Sequence, residues 1–328
     1  MRRLTERPRL AVALSFLIAA GTALAIAISD GPGLVTDRLS DMDPKWLLAA
    51  FGVEFAAYTG YVLAYRATML PRPHARMSMM LTVRLVLAGF GPFAPMGGFA
   101  FDRKALAAVH RSRREARRRV LALGVVEYLL LAPAAFACAL ILLFEPHGAS
   151  LALTLPWIIG VPVGLGLAWW ATEPRRIEAH SRSDARARRW LAEILRGAAI
   201  VRQIVREPRE RPDALVGMAV YWAAEIACLA FALRCFHATL SVPALVIAYS
   251  TGYAASRRSL PLGGAGITEA LLTISLIAVH VPSARALLAV VAYRLVNLIA
   301  PVPAGLVAHS SLSELTGVGA RGARARKG

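Results

Sequence analysis

The sequence predicts an all-α, polytopic integral membrane protein with about six full spans and two broken, re-entrant helical units. Three observations predict it. Apolar residues make up 57% of the 328, and the mean hydropathy is +0.54, too high for an ordinary soluble domain of this length. The net charge of +18 is gathered in arginine blocks between apolar runs. Cytoplasmic loops facing an anionic leaflet have that distribution, and a nucleic-acid footprint does not, so no nucleic-acid partner is expected. Glycine and proline also interrupt two apolar stretches, which is tolerated at membrane depth only where protein or a wet cavity satisfies the backbone.

Arg2, Arg3, Arg7 and Arg9 precede a first apolar run at 10–28, read as a retained span. A cleaved signal peptide ending near Ala23-Leu-Ala25 is the competing reading. Residues 29–45 hold four Asp against one Arg and one Lys and suit the outside. The second span, 46–65, contains Glu54 and returns to Arg66, Arg72 and Arg76. Residues 77–101 carry Arg84 and the core Gly89-Phe-Gly-Pro-Phe-Ala-Pro-Met-Gly-Gly98. The following 102–119 has eight Lys or Arg against two acids. Two crossings need ~40 residues, so 77–101 is expected to dip in and return on the basic side.

Spans follow at 120–144, with Glu127, and at 151–170, joined outside by 145–150. Pro156, Gly160, Pro162, Gly164 and Gly166 predict a kinked or closely packed helix there, with packing as the favoured reason. Residues 172–213 hold 11 Arg and 7 acids. Their Trp190-Leu-Ala-Glu-Ile-Leu-Arg-Gly-Ala-Ala-Ile-Val pattern predicts an amphipathic helix on the membrane surface. The span at 214–236 carries Glu225 and Arg234, and its Cys228 and Cys235 share one face for packing. Runs at 243–256 and 267–279 flank the second break, Leu260-Pro-Leu-Gly-Gly-Ala-Gly-Ile-Thr-Glu269. A last crossing at 286–308 leads to the basic tail with Arg321, Arg324, Arg326 and Lys327. Both termini are therefore expected in the cytoplasm. The whole is read as one membrane domain over 1–328: a first half at 1–170, a basic connection at 171–213, a second half at 214–313 and a tail at 314–328.

The two breaks echo each other. Pro95-Met-Gly-Gly98 and Pro261-Leu-Gly-Gly264 lie 166 residues apart, and the same offset lays Glu127-Tyr128 over Tyr293-Arg294. Each half also has a glutamate in an earlier span, Glu54 or Glu225. An internal duplication follows, with the halves meeting at a site; whether they are inverted stays open.

Charged groups inside spans cost at least ~2.5–3.5 kcal/mol each near the bilayer centre, so they need a partner or a wet cavity. Arg84, Arg257, Arg258 and Arg294 are candidates for gripping a lipid phosphate, which a planar guanidinium binds in bidentate fashion. Glu127, Glu225 and Glu269 are candidates for a cationic headgroup or a coupling proton, with Tyr293 beside Arg294. Backbone N–H groups at Gly97, Gly98, Gly263 and Gly264 could add an anion-binding concavity. Structural ion pairs, such as Glu269 with Arg294, are the plainer alternative. Arg257 and Arg258 could equally sit at the cytoplasmic interface. The run at 111–119 reads as a positive-inside anchor.

There is no P-loop, no clustered Asp motif for metal–diphosphate chemistry and no Gly-x-Ser-x-Gly elbow. The three cysteines, Cys138, Cys228 and Cys235, lie in apolar runs and the seven histidines are scattered. No enzyme activity, metal or other cofactor is expected.

Pro261-Leu-Gly-Gly-Ala-Gly-Ile-Thr-Glu269, Val281-Pro282, Ala289, Tyr293-Arg294, Pro303 and Gly305 resemble the lysylphosphatidylglycerol synthase transmembrane region. Arg84, Pro95, Gly97-Gly98, the stretch at 103–106 and Glu127 agree in the first half. Tyr128 and Thr268 stand where that family often has arginine. The resemblance implies an all-helical domain with broken helices around a lipid-accessible cavity, translocating a phospholipid or aminoacylated phospholipid. Full-length relatives carry an aminoacyl-tRNA-dependent transferase after this region, which this chain is expected to lack. The expectation is a flippase-like translocase of the cytoplasmic membrane acting on anionic or aminoacylated phospholipids. The alternative is a non-transporting subunit that docks a separately encoded lipid-modifying enzyme or glycosyltransferase through 102–119 and 172–213.

Overall fold

A computed structural model describes residues 39–69, 78–90, 98–109, 113–145, 149–182, 185–206, 212–253 and 264–301, with isolated positions between 17 and 28. In a bilayer a helix satisfies its own backbone, and the described residues form helices with no strand. Four are long and apolar enough to cross a membrane: α1 (Pro44–Met69), α4 (Arg113–Phe144), α5 (Leu151–Ala171) and α8 (Pro212–Cys235). Short apolar helices form two pairs, α2 (Met79–Gly89) with α3 (Gly98–Val109), and α9 (Val242–Gly252) with α10 (Ile267–Ala278). Helices α6 (Pro174–Ser181) and α7 (Arg186–Arg206) occupy the basic connection, and α11 (Ser283–Ile299) ends the described bundle. The chain is an all-α, multi-pass membrane protein.

The first expected span, 10–28, lies outside the described residues except for single helical positions such as Leu17 and Leu24, both exposed. The tail beyond 301 lies outside them as well.

Helices α1 and α8 form the spine. They run antiparallel: the Asp43 N–H at the start of α1 donates to the Cys235 carbonyl at the end of α8, 3.0 Å away. Further along, Trp46 stacks on Phe231 and Tyr61 meets Tyr221 edge-on. Gly60 and Gly217 let the two backbones touch midway; a Cβ on Gly60 would lie 2.6 Å from the Gly217 carbonyl oxygen.

The duplication is visible in element order. Counting 166 residues on from α1 gives 210–235, against the observed Pro212–Cys235 of α8. The short helices repeat within three residues of the same offset, and both first members carry a serine cap. Ser78 accepts from the Leu81 N–H at 3.2 Å and Ser241 from the Ala244 N–H at 3.5 Å. Because α1 and α8 are antiparallel, the two halves have inverted topology. Each short helix is 11 or 12 residues long, or ~17 Å at 1.5 Å per residue, about half a ~30 Å hydrocarbon core.

Three details differ from the sequence reading. Residues 102–119 do not form a loop, since α3 runs to Val109 and α4 starts at Arg113. Asp102 is buried there and accepts from the Tyr65 hydroxyl at 3.4 Å. Alanine, leucine, lysine and arginine all favour helix, so a charge boundary marks sidedness without ending the helix. Helix α5 is not closely packed through its glycines: Gly160, Gly164 and Gly166 face open space, and its large residues are largely exposed. Helix α7 rests on protein, because at Gly197 an added Cβ would lie 2.9 Å from Leu121 Cβ on α4.

Candidate functional site

The second half places a buried ion pair at its break. Gly266, with φ 86°, caps the N-terminus of α10. That left-handed conformation suits glycine. Glu269, in the first turn of α10, accepts from the Gly266 N–H through Oε2 at 2.6 Å. Its Oε1 accepts from Arg294 Nε, also at 2.6 Å. The two side chains are 2% and 3% exposed. One carboxylate thus closes the helix cap and neutralises the guanidinium on α11.

Tyr293, the residue before Arg294, reaches a second carboxylate, on α8. Glu225 Oε2 accepts from the Tyr293 hydroxyl at 2.6 Å, the Tyr249 hydroxyl at 3.3 Å and Asn297 Nδ2 at 3.4 Å. The Tyr253 hydroxyl donates to Asn297 Oδ1 at 3.5 Å, and its ring stacks on Tyr249 with centroids 4.8 Å apart. These three donors are neutral, and all five side chains are buried.

The first half contributes Glu127 from α4. Its side chain accepts from the Tyr61 hydroxyl on α1, and its carbonyl accepts from Trp222 Nε1 on α8 at 2.7 Å. Edge-on aromatic contacts tie this group to the other: Phe90, at the end of α2, meets Tyr58 and Tyr61, and Trp222 meets Tyr249.

Depth follows from helix geometry. Arg294 lies eleven residues into α11, and Glu225 ten residues before the end of α8. Those ends are neighbours, since Arg285 Nη1 donates to the His237 carbonyl at 3.4 Å. At 1.5 Å per residue both charges are ~15 Å in, near the middle of a ~30 Å core. Glu127, seventeen residues before the end of α4, sits nearer the basic end.

Comparison with curated proteins returned no match. Residues 10–305 match the family model described as lysylphosphatidylglycerol synthase TM region. The chain belongs to this family. It is accordingly a membrane protein related to lipid modification or lipid flipping.

Within this lysylphosphatidylglycerol synthase TM region, the candidate residues separate into three groups. Glu225, Glu269, Tyr293 and Arg294 come together, and Glu127 joins them through Trp222. Arg84 is half-buried on α2; Gly98 is buried at the first turn of α3; Gly264 is buried with φ 72°. Gly97, Gly263, Arg257 and Arg258 lie outside the described residues. Glu54 is buried on α1.

Sequence reasoning missed the tyrosines. Tyr61, Tyr249 and Tyr253, with Trp222 and Asn297, supply most of the donors, yet each alone passes for core filling. The signal was available at Asn297, an uncharged polar residue one turn after Arg294 in an apolar helix. The Tyr249–Tyr253 spacing also puts two hydroxyls on one helical face.

Proposed function

We propose that this chain moves phospholipid, or a lipid-linked headgroup, between leaflets of the cytoplasmic membrane, with both termini in the cytoplasm. The observation that carries the reading is the Glu269–Arg294 pair of the second half, at mid-membrane depth and next to Tyr293, which holds Glu225. Ionisable groups are expensive there and mark substrate or ion pathways. Broken helices from two inverted repeats are the usual frame for such a path.

In this reading the described arrangement is a resting state in which Glu127, Glu225 and Glu269 accept hydrogen bonds from within the bundle. An entering headgroup exchanges places with Glu269: its phosphate takes the Arg294 fork, and Glu269 is freed for a proton or a cationic headgroup. Glu225 and Glu127, held by tyrosine hydroxyls, serve as further stations for positive charge. Arg84, Arg257 and Arg258, with the glycines at 97–98 and 263–264, line the approach. The chain acts as a translocator in this account, without transferase chemistry of its own.

The test uses purified chain in liposomes doped with fluorescent phosphatidylglycerol, its lysyl form or a polyprenyl phosphate. Dithionite quenching follows exchange between leaflets. Faster exchange of one lipid than in protein-free liposomes supports translocation and identifies the substrate class. No acceleration by well-folded protein would transfer the reading to a subunit that docks a separately encoded transferase through 102–119 and 172–213.

A further inference from the structure

A second polar site lies away from the central cluster, where α5, α6 and α7 meet. Its cavity of about 470 Å³ is lined by Thr172, Ile177 and Glu178 and by three arginines of α7, Arg196, Arg202 and Arg206. The arginines lie on one broad face of the helix, and Ala199 lies between them with too short a side chain to fill the space. Helix α7 is held in place from behind, because Gly197 seats it against α4.

The guanidinium of Arg202 is fixed. It stacks on the Trp169 ring, 3.9 Å from the centroid, and Nη1 donates to the Trp169 carbonyl at 3.5 Å. Arg206 lies over the same ring at 5.4 Å. Stacking uses the face of the guanidinium and leaves its N–H edge directed elsewhere. Among the described residues, Arg202 Nε is buried with no acceptor. Arg176, next door, shows the satisfied alternative: it stacks on Trp170 at 3.8 Å and donates to Glu173 at 3.1 Å. Glu178 is the one carboxylate in the described lining, and it is shared with Arg182 at 3.4 Å. The Thr172 hydroxyl is turned away, donating to the Ala168 carbonyl at 2.7 Å.

The position names the ligand's source. Trp169 and Trp170 close an apolar span and are 48% and 55% exposed. Tryptophans so placed sit at headgroup level. We infer that this pocket binds the phosphate of an anionic phospholipid headgroup at the basic end of the bundle. Three guanidiniums against one shared carboxylate favour a phosphodiester with no cation of its own, such as phosphatidylglycerol. A choline headgroup would bring its positive charge against them. Ile177 and the apolar end of α5 receive the glycerol and upper acyl carbons. An arginine acting only as a membrane anchor would extend its head to water, whereas Arg202 buries an unsatisfied donor. The inference requires no lipid movement and stands independently of the translocation reading.

The test is lipid titration of the full chain in detergent micelles, read by native mass spectrometry with phosphatidylglycerol, phosphatidylcholine or inorganic phosphate. Phosphatidylglycerol is expected to bind more tightly than phosphatidylcholine. The R196Q/R202Q variant should lose that preference, with affinity falling about tenfold, the scale of one or two lost charge-assisted hydrogen bonds. G160A, on the open face of α5, should keep it, which ties the loss to the pocket arginines. Should R196Q/R202Q fail to fold, A199E places a carboxylate among the arginines and is expected to have the same effect. Unchanged phosphatidylglycerol affinity in folded R196Q/R202Q or A199E overturns the inference. Displacement of the lipid by equimolar inorganic phosphate also overturns it, by assigning the pocket to a soluble anion.

Discussion

Gly60 and Gly217 face one another across the spine, each pointing its missing side chain at the other's carbonyl. A Cβ on Gly217 would lie 2.6 Å from the Gly60 oxygen and 2.7 Å from the Ala64 nitrogen. Both obstacles are backbone, so no rotamer change relieves them. This contact sets the distance between the two halves and, through it, the position of every carboxylate in the central cluster.

Substitution at this crossing should therefore be costly. Gly60→Ala or Gly217→Ala is expected to destabilise the protein by about 1–3 kcal/mol, as overpacking does. The readout is a lowered thermal midpoint in detergent. Gly160→Ala, which meets nothing within 4 Å, is the matched control. It should be neutral or slightly stabilising, because alanine is the better helix former. Equal midpoints for all three variants would remove Gly60–Gly217 as the spacing contact.

The buried ion pair gives a characteristic pattern of non-additivity. Glu269→Gln or Arg294→Met alone strands a partner in a low-dielectric site, at a cost of about 3–5 kcal/mol. Replacing both together should recover most of that loss, since paired apolar or neutral groups are tolerated where a lone charge is not. A double-mutant cycle on thermal or denaturant stability measures the coupling. Additive losses would mean that the two side chains do not interact.

The hydroxyls around Glu225 should rank by distance. Tyr293→Phe removes a 2.6 Å bond and Tyr249→Phe a 3.3 Å bond. Hydrogen bonds to a charged group contribute about 1.5–3 kcal/mol, so Tyr293→Phe is expected near the upper figure and Tyr249→Phe below it. Stability measured in the same detergent checks the order; the reverse order would contradict this geometry.

The architecture was legible because membrane constraints are written in composition. Arginine blocks, apolar run length and two glycine–proline breaks were enough to locate α1, α5 and α8 within a few residues and both broken pairs. The repeat was legible at Pro95 and Pro261. Its inversion was not, because the second break is long enough for two short spans; the Asp43–Cys235 contact supplies it. Glu269 and Arg294 stood out as charges in apolar helices, and their pairing was one of two readings the sequence allowed. The tyrosine donors were hidden because a buried tyrosine has the same sequence pattern whether or not its hydroxyl has a partner. Helix α7 looked like a surface helix because its hydrophobic period is the same against lipid as against α4.

The most direct test of the central claim compares leaflet exchange in liposomes containing wild-type protein, Glu269→Gln or Arg294→Gln, each verified as folded and equally reconstituted. If the pair opens to take a headgroup, both variants lose accelerated exchange of the transported lipid, while R196Q/R202Q, altered in the peripheral pocket, retains it. Wild-type exchange rates in both Glu269→Gln and Arg294→Gln would contradict the account and leave the pair a purely structural lock.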